Sequence, residues 1–225
     1  MRNSASKSRR KILIVDDHPL TRRGMAQLID QQSDLMVCGE AGTAESALGA
    51  VESLTPQLVV VDITLPGKPG LELIKDLKSS NPNLPVLVVS MHDESLYAER
   101  TLRAGARGYL MKNEGGDRLL EGIRAVLDGK VFVSPAISSK ILDELSGGRT
   151  RRRDQDGLSG LTDREFEVFQ FIGQGLTTRE IGEHLHMSAK TVETHRLHIR
   201  AKLGLKSGPE LIKYAVRWSG VQELI

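Results

Sequence analysis

The sequence predicts two joined folds, an α/β domain on a doubly wound, five-stranded parallel sheet and, behind it, an all-α domain of four helices with a helix-turn-helix. Three observations predict this. Short, almost continuously apolar runs alternate five times with amphipathic segments over residues 11–130, the pattern of strands buried on both faces by crossover helices. From residue 159 onward, apolar residues recur only at helical spacing, between capping residues and glycines. Charge also divides along the chain. Residues 11–130 hold 13 Lys/Arg against 17 Asp/Glu, a net of −4, whereas 188–217 hold 7 against 2, a net of +5. Only the rear is suited to a polyanion.

The 225 residues, 39% hydrophobic and 27% charged, suffice for two cores of ordinary composition. No apolar run approaches the ~18 residues of a membrane span. Residues 1–10, MRNSASKSRR, form a basic, polar tail with no apolar stretch, unlike a secretory signal. Cys38 is the single cysteine, so no internal disulfide can form and a reducing compartment, the cytoplasm, is expected.

The strands are read as KILIV (11–15), LMVCGE (35–40), QLVVV (57–61), PVLVVS (85–90) and GYLM (108–111), and the helices as roughly 19–32, 43–54, 70–79, 94–104 and 116–128. Ligands of such sheets bind beyond the carboxyl ends of the strands. There stand Asp16 and Asp17 after the first strand, Asp62 after the third, Ser90 ending the fourth and Lys112 after the fifth. A strand-end Asp is often only a helix cap, but four strands out of five end in groups of compatible chemistry. Three neighbouring carboxylates repel one another without a cation among them, and hard oxygen ligands of this kind favour Mg2+.

The segments ILIVDDHPL, VVVDITLPG, VVSMHD and GYLMK resemble the signature segments of response regulator receiver domains, a flavodoxin-like fold, in order and spacing. The resemblance implies that Asp62 accepts a phosphoryl group from the phosphohistidine of a sensor histidine kinase. It implies that Asp16, Asp17, Asp62 and the backbone carbonyl of Thr64 hold Mg2+. Lys112 would pair with the phosphoryl oxygens, the Ser90 hydroxyl would move to bond them, and Tyr109 would report that movement by its inward or outward position. Two residues depart from the pattern. Thr64 replaces a bulky apolar residue, which bears on the rate of autodephosphorylation. Asn113 replaces the Pro that commonly follows the lysine; a cis peptide there would cost about 2.5–4 kcal/mol, so the geometry of that peptide stays open. A Mg2+-dependent phosphatase of similar topology also uses a strand-end Asp, but wants a second acid where Thr64 stands. A signalling regulator is therefore expected, active as an enzyme only in its own phosphorylation and dephosphorylation.

Residues 131–158 read as a linker with one short helix, carrying Ile137, Ile141, Leu142 and Leu145, and then the glycines and mixed charges of GGRTRRRDQDG. Arg151–Arg153 have acidic neighbours and read as solvated linker. From 159, Thr162 with Glu165 opens a first helix, Thr177 with Glu180 a second, Ser188 a third and Ser207 with Glu210 a last. The tight turn at 184–188 before a basic helix makes a helix-turn-helix. Spacing puts Val192, His195, Ile199 and Leu203 on the core face of the third helix, and Lys190, Glu193, Thr194, Leu197 and Arg200 outward, toward a major groove. Thr178, Thr191, Arg196 and Lys202 complete the candidate DNA contacts. Four histidines, 184, 186, 195 and 198, straddle two helices without cysteine partners, a poor zinc set.

The stretch LTDREFEVFQFIGQGLTTREIGEHLHMSAKTVETHRLHIRAKLGL resembles the LuxR-type DNA-binding domain over 159–225. That implies a homodimer, formed on phosphorylation, on inverted half-sites of double-stranded DNA, with the last helix, about 207–218, as the dimer contact. Glu193, Thr194 and Leu197 stand where the family contacts bases. Together the halves resemble a NarL/FixJ-type transcriptional regulator of a two-component system.

Overall fold

The computed structural model describes residues 9–145 and 158–222; the tail up to residue 8 and the linker arginines Arg151–Arg153 lie outside the described residues. The chain divides into two compact units, Met1–Ser146 and Gly147–Ile225. The first alternates β1 (Arg10–Val15), α1 (Pro19–Asp30), β2 (Leu35–Ala41), α2 (Ala44–Leu54), β3 (Leu58–Val61), α3 (Gly70–Ser80), β4 (Val86–Ser90), α4 (Glu94–Ala104), β5 (Gly108–Met111), α5 (Gly116–Leu127) and α6 (Pro135–Leu145). The strands pair in the order β2-β1-β3-β4-β5, every pair parallel. This is the order of a doubly wound sheet with its switch point beside β1.

Period-two alternation divides the apolar strands between two helical layers. Ile12, Ile14, Leu58, Val60, Leu87 and Val89 pack with Met25 and Ile29 of α1 and with Leu119, Ile123 and Val126 of α5. The alternate residues, among them Leu13, Val15, Val59, Val61 and Val88, are just as deeply buried, which is why no strand shows a polar face. Caps fix where the helices begin. The Thr43 hydroxyl accepts from the Ser46 N–H ahead of α2, and the Asp93 carboxylate accepts from the Ser95 N–H at 2.8 Å ahead of α4. Gly70 starts α3 hard against the loop after β3: a Cβ there would lie 2.1 Å from the Asp62 carbonyl oxygen, so only glycine permits this approach.

The helix that the sequence places in the linker, α6, packs against α4 in the first unit. Ile137 is buried, and the Ser134 N–H donates to Glu94 Oε1 at 2.8 Å. No cis peptide occurs among the described residues. The Lys112–Asn113 bond is therefore trans, and a 3-10 turn over Lys112–Glu114 carries the chain from β5 to α5.

The second unit is helical: a 3-10 turn at Leu158–Gly160, then α7 (Asp163–Gly173), α8 (Thr178–His184), α9 (Ala189–Leu203) and α10 (Gly208–Gln222). Thr162 and Thr177 close capping boxes with Glu165 and Glu180, and Ser188 caps α9. The core gathers Phe166, Phe169, Ile172, Ile181, Leu185, Val192, Ile199, Leu211 and Ala215, with Trp218 edge-on to Phe166 at 5.8 Å. Gly182 admits the turn between α8 and α9, since a Cβ there would meet the Met187 carbonyl oxygen at 2.6 Å.

Candidate phosphorylation site and nucleic-acid interface

Strand register assembles the first site. Val15 pairs with Val61, so the residues that follow, Asp16 and Asp62, leave the sheet side by side; Ser90 pairs with Met111, which brings Lys112 up beside Ser90. The Lys112 ammonium lies 2.6 Å from Asp62 Oδ2 and 2.8 Å from Asp16 Oδ2, with only 9% of its side chain exposed. Asp16 and Asp62 are buried, and Asp17 is half-buried. All five strand-end residues named from the sequence are thus brought to one end of the sheet.

Asp16 and Asp62 share this ammonium, and the titration behaviour of Asp62 and Lys112 follows. Burial pushes the Asp62 carboxyl above its ordinary 3.8, and the charge and hydrogen bond of Lys112 only partly offset it. Burial alone would lower the Lys112 ammonium, but the charge of Asp62 and the bonds to Asp16 and Asp62 outweigh it and the net shift is upward. The lysine has surplus counter-charge and the carboxylates too little. Asp16 Oδ2 and Asp17 Oδ1 are both buried; the former meets only the Lys112 ammonium, at 2.8 Å, and the latter only His18 Nδ1, at 2.6 Å. One ligand atom from each of Asp16, Asp17, His18 and Asp62 falls within 4.8 Å of the others. Clustered, under-neutralised carboxylate oxygens are the donors a hard divalent cation takes, so the residues present fit Mg2+.

A raised folded-state pKa means that Asp62 contributes stability below its unfolded value and loses it as pH rises through the folded one. The metal-free wild type is therefore expected to lose thermal stability relative to Asp62→Asn as pH climbs above the ordinary carboxylate range. Parallel melting curves across that rise in pH would count against the buried, under-neutralised carboxylate.

Two histidines missing from the sequence reading belong to this end of the sheet. His18 Nδ1 lies 2.6 Å from Asp17 Oδ1, and its backbone N–H donates to Asp16 Oδ1 at 2.8 Å. His92 links the loop after β3 to the Ser90 region. Its Nε2 lies 3.0 Å from Thr64 Oγ1, its N–H donates to Ser90 Oγ at 3.2 Å, and its carbonyl accepts from the Tyr109 hydroxyl at 2.8 Å. Burial lowers its imidazole pKa, with the Lys112 charge adding to the effect. Tyr109 is fully inside, and burial raises its phenol well above the ordinary 10.0. Thr64 also donates its N–H to Asp62 Oδ1 at 3.2 Å. Position alone gave a signal for both histidines: His18 directly follows the acidic pair, and His92 stands two residues after Ser90.

On α9 the core face is narrower than its spacing suggests. Val192 and Ile199 are fully buried, while His195 and Leu203 are half-buried. Lys190, Thr191, Glu193, Thr194 and Leu197 are exposed. Arg196 keeps only 15% of its side chain exposed, with Nε 3.8 Å from Glu193 Oε1. Arg200, expected outward, is half-buried and donates to the Lys206 carbonyl at 2.8 Å; it adjoins Ile199 and sits at the edge of the packed face. The Lys202 ammonium is 2.6 Å from Glu165 Oε2, on α7. Thr178, at the start of α8, donates to Glu193 Oε1 at 2.6 Å. His184 stacks on Phe171 at 5.4 Å and His186 adopts φ 51° in the turn, while His198 lies 3.8 Å from Glu165, whose charge also reaches His195.

Residues 12–124 match the family described as response regulator receiver domain, and residues 159–215 match bacterial regulatory proteins, luxR family. The oxygen regulatory protein NreC of Staphylococcus aureus (strain MRSA252) is 34% identical over 210 residues, 92% of this chain and 97% of that protein. A LuxR-family two-component response regulator from Aurantimonas sp. SI85-9A1 superposes with a TM-score of 0.57 at 34% identity, over 62% of this chain and 99% of that one. RcsB of Salmonella typhimurium, at 24% identity, shares the fold with a TM-score of 0.64 over 93% of this chain and 98% of its own.

Proposed function

This chain belongs to the response regulators, a receiver domain joined to a luxR-family DNA-binding domain, and on that premise we propose that phosphorylation of Asp62 controls its binding to DNA. It is a signalling regulator, not a conventional enzyme. The observation that carries the proposal is the Lys112 ammonium held between Asp62 and Asp16 in a cluster of carboxylates. A site of that charge is built to receive a further anion and a cation together.

In the transfer, an Asp62 carboxylate oxygen bonds to phosphorus as the bond from phosphorus to the kinase's histidine nitrogen breaks, leaving an acyl phosphate and a free imidazole. Lys112, already at Asp62, neutralises the equatorial oxygens as charge develops on them. Bound Mg2+, held by Asp16, Asp17, Asp62 and the Thr64 carbonyl, would supply the remaining positive charge. Ser90 then leaves the His92 N–H to bond a phosphoryl oxygen, and Tyr109, anchored on the His92 carbonyl, follows the same loop. Exposed Ile212 and Val216, four residues apart on α10, support a homodimer through that helix on inverted half-sites. No helix among the described residues is long and apolar enough to cross a membrane, which accords with a cytoplasmic site of action.

DNA affinity of the full chain should rise at least tenfold after treatment with acetyl phosphate and Mg2+, about 1.4 kcal/mol of coupling. Asp62→Asn should show no rise. In both, the log–log salt slope should steepen by about 0.9 for each phosphate contact made. Equal affinities for the treated and untreated wild type would overturn control through Asp62.

A further inference from the structure

We propose that Thr178 is a positioning residue that fixes the Glu193 carboxylate to read an amino-bearing base, cytosine above all, in the major groove. The assignment rests on the reading that α9 enters that groove. Capping of α8 is done by Thr177, whose hydroxyl accepts from the Glu180 N–H, so the Thr178 hydroxyl is not needed there. It reaches across to α9 and donates to Glu193 Oε1 at 2.6 Å, and Arg196 Nε approaches the same oxygen at 3.8 Å. One carboxylate oxygen is thereby held. The side chain remains 57% exposed, with Lys190 exposed one turn before it and Leu197, also 57% exposed, one turn after.

An unheld glutamate beside DNA would swing away from the phosphates. A hydroxyl donor and a guanidinium on Oε1 remove that freedom before binding, which is how preorganisation converts a weak contact into a selective one. A carboxylate can only accept. Guanine presents two acceptors in the major groove and thymine presents O4 and a methyl, so both repel it; adenine offers an amino group beside an acceptor; cytosine offers its amino group alone. Cytosine is therefore preferred, and Leu197 is placed to meet a thymine methyl a turn away. A merely structural clip between α8 and α9 would look the same in distance but would leave base preference untouched.

The test selects randomised duplexes with the full chain treated with acetyl phosphate and Mg2+, then measures affinity for the best duplex and its single-base replacements. Wild type should require cytosine at one position of each half-site, at about 5- to 150-fold per mismatch. Glu193→Ala should lose that requirement alone and bind unrelated DNA more tightly. Thr178→Val should lose most of it with an unchanged melting midpoint, and Thr178→Ser should keep it. A cytosine requirement intact in Glu193→Ala or in Thr178→Val overturns the assignment. A wild-type chain that binds but selects no sequence overturns the underlying reading of α9, and the assignment with it.

Discussion

Asp62→Asn is expected to take up no phosphoryl group from acetyl phosphate and Mg2+, whereas the wild type should take up one, read as intact mass. The substitution keeps shape and burial but removes the anionic oxygen that must bond to phosphorus, so the expected loss is complete. Asp17→Ala should fail to label as well, for a different reason: it deletes one of the clustered carboxylates that fit the cation. The two failures separate by adding Mg2+ to the unlabelled proteins. Asp62→Asn, which retains Asp16 and Asp17, should still gain some melting temperature from the ion, and Asp17→Ala should gain less. Labelling of Asp62→Asn at the wild-type level would place the acceptor elsewhere.

Lys112→Met is expected to cost the metal-free protein about 3 kcal/mol at neutral pH, because removing one partner leaves buried charge uncompensated. For a domain of this size that is roughly 10 °C in melting temperature. The ammonium touches two buried carboxylates, at 2.6 and 2.8 Å, whereas the nearby Arg22 guanidinium is engaged with the Asp16 carbonyl and with Glu40. Without it the Asp62 carboxyl, already above its ordinary value, rises further. Its stabilising protonated form then persists to higher pH and is lost later in the titration. Lowering the pH to about 5, or adding Mg2+, should restore much of the deficit. A Lys112→Met protein as stable as wild type at neutral pH would mean that the carboxylates are better solvated than their burial indicates.

The boundaries of the five strands were legible to within a residue because each is a short apolar run closed by a polar one, a local property. KILIV becomes β1 with one residue added before it, and GYLM is β5 unchanged. The helix starts of the second unit were legible because Thr162, Thr177 and Ser188 announce themselves by chemistry. Helix α6 shows the limit. Its existence could be read from Ile137 and Ile141, but its attachment to α4 through Glu94 and Ser134 joins residues far apart in the chain. On α9 the same limit appears as Arg200 and His195, whose exposure depends on what neighbouring elements lay over a boundary position.

The alternation of elements, the polar residues at the strand ends, the caps of the second unit and the turn before the basic helix can all be read along the chain. All of these follow from periodicities and capping patterns a few residues long. Packing of the folded chain is what places Lys112 between Asp62 and Asp16, joins Thr64 to Ser90 and Tyr109 through His92, and sets Thr178 on Glu193. Each of these contacts pairs side chains on different elements. Their meeting is set by strand register and helix packing, which the whole core fixes at once.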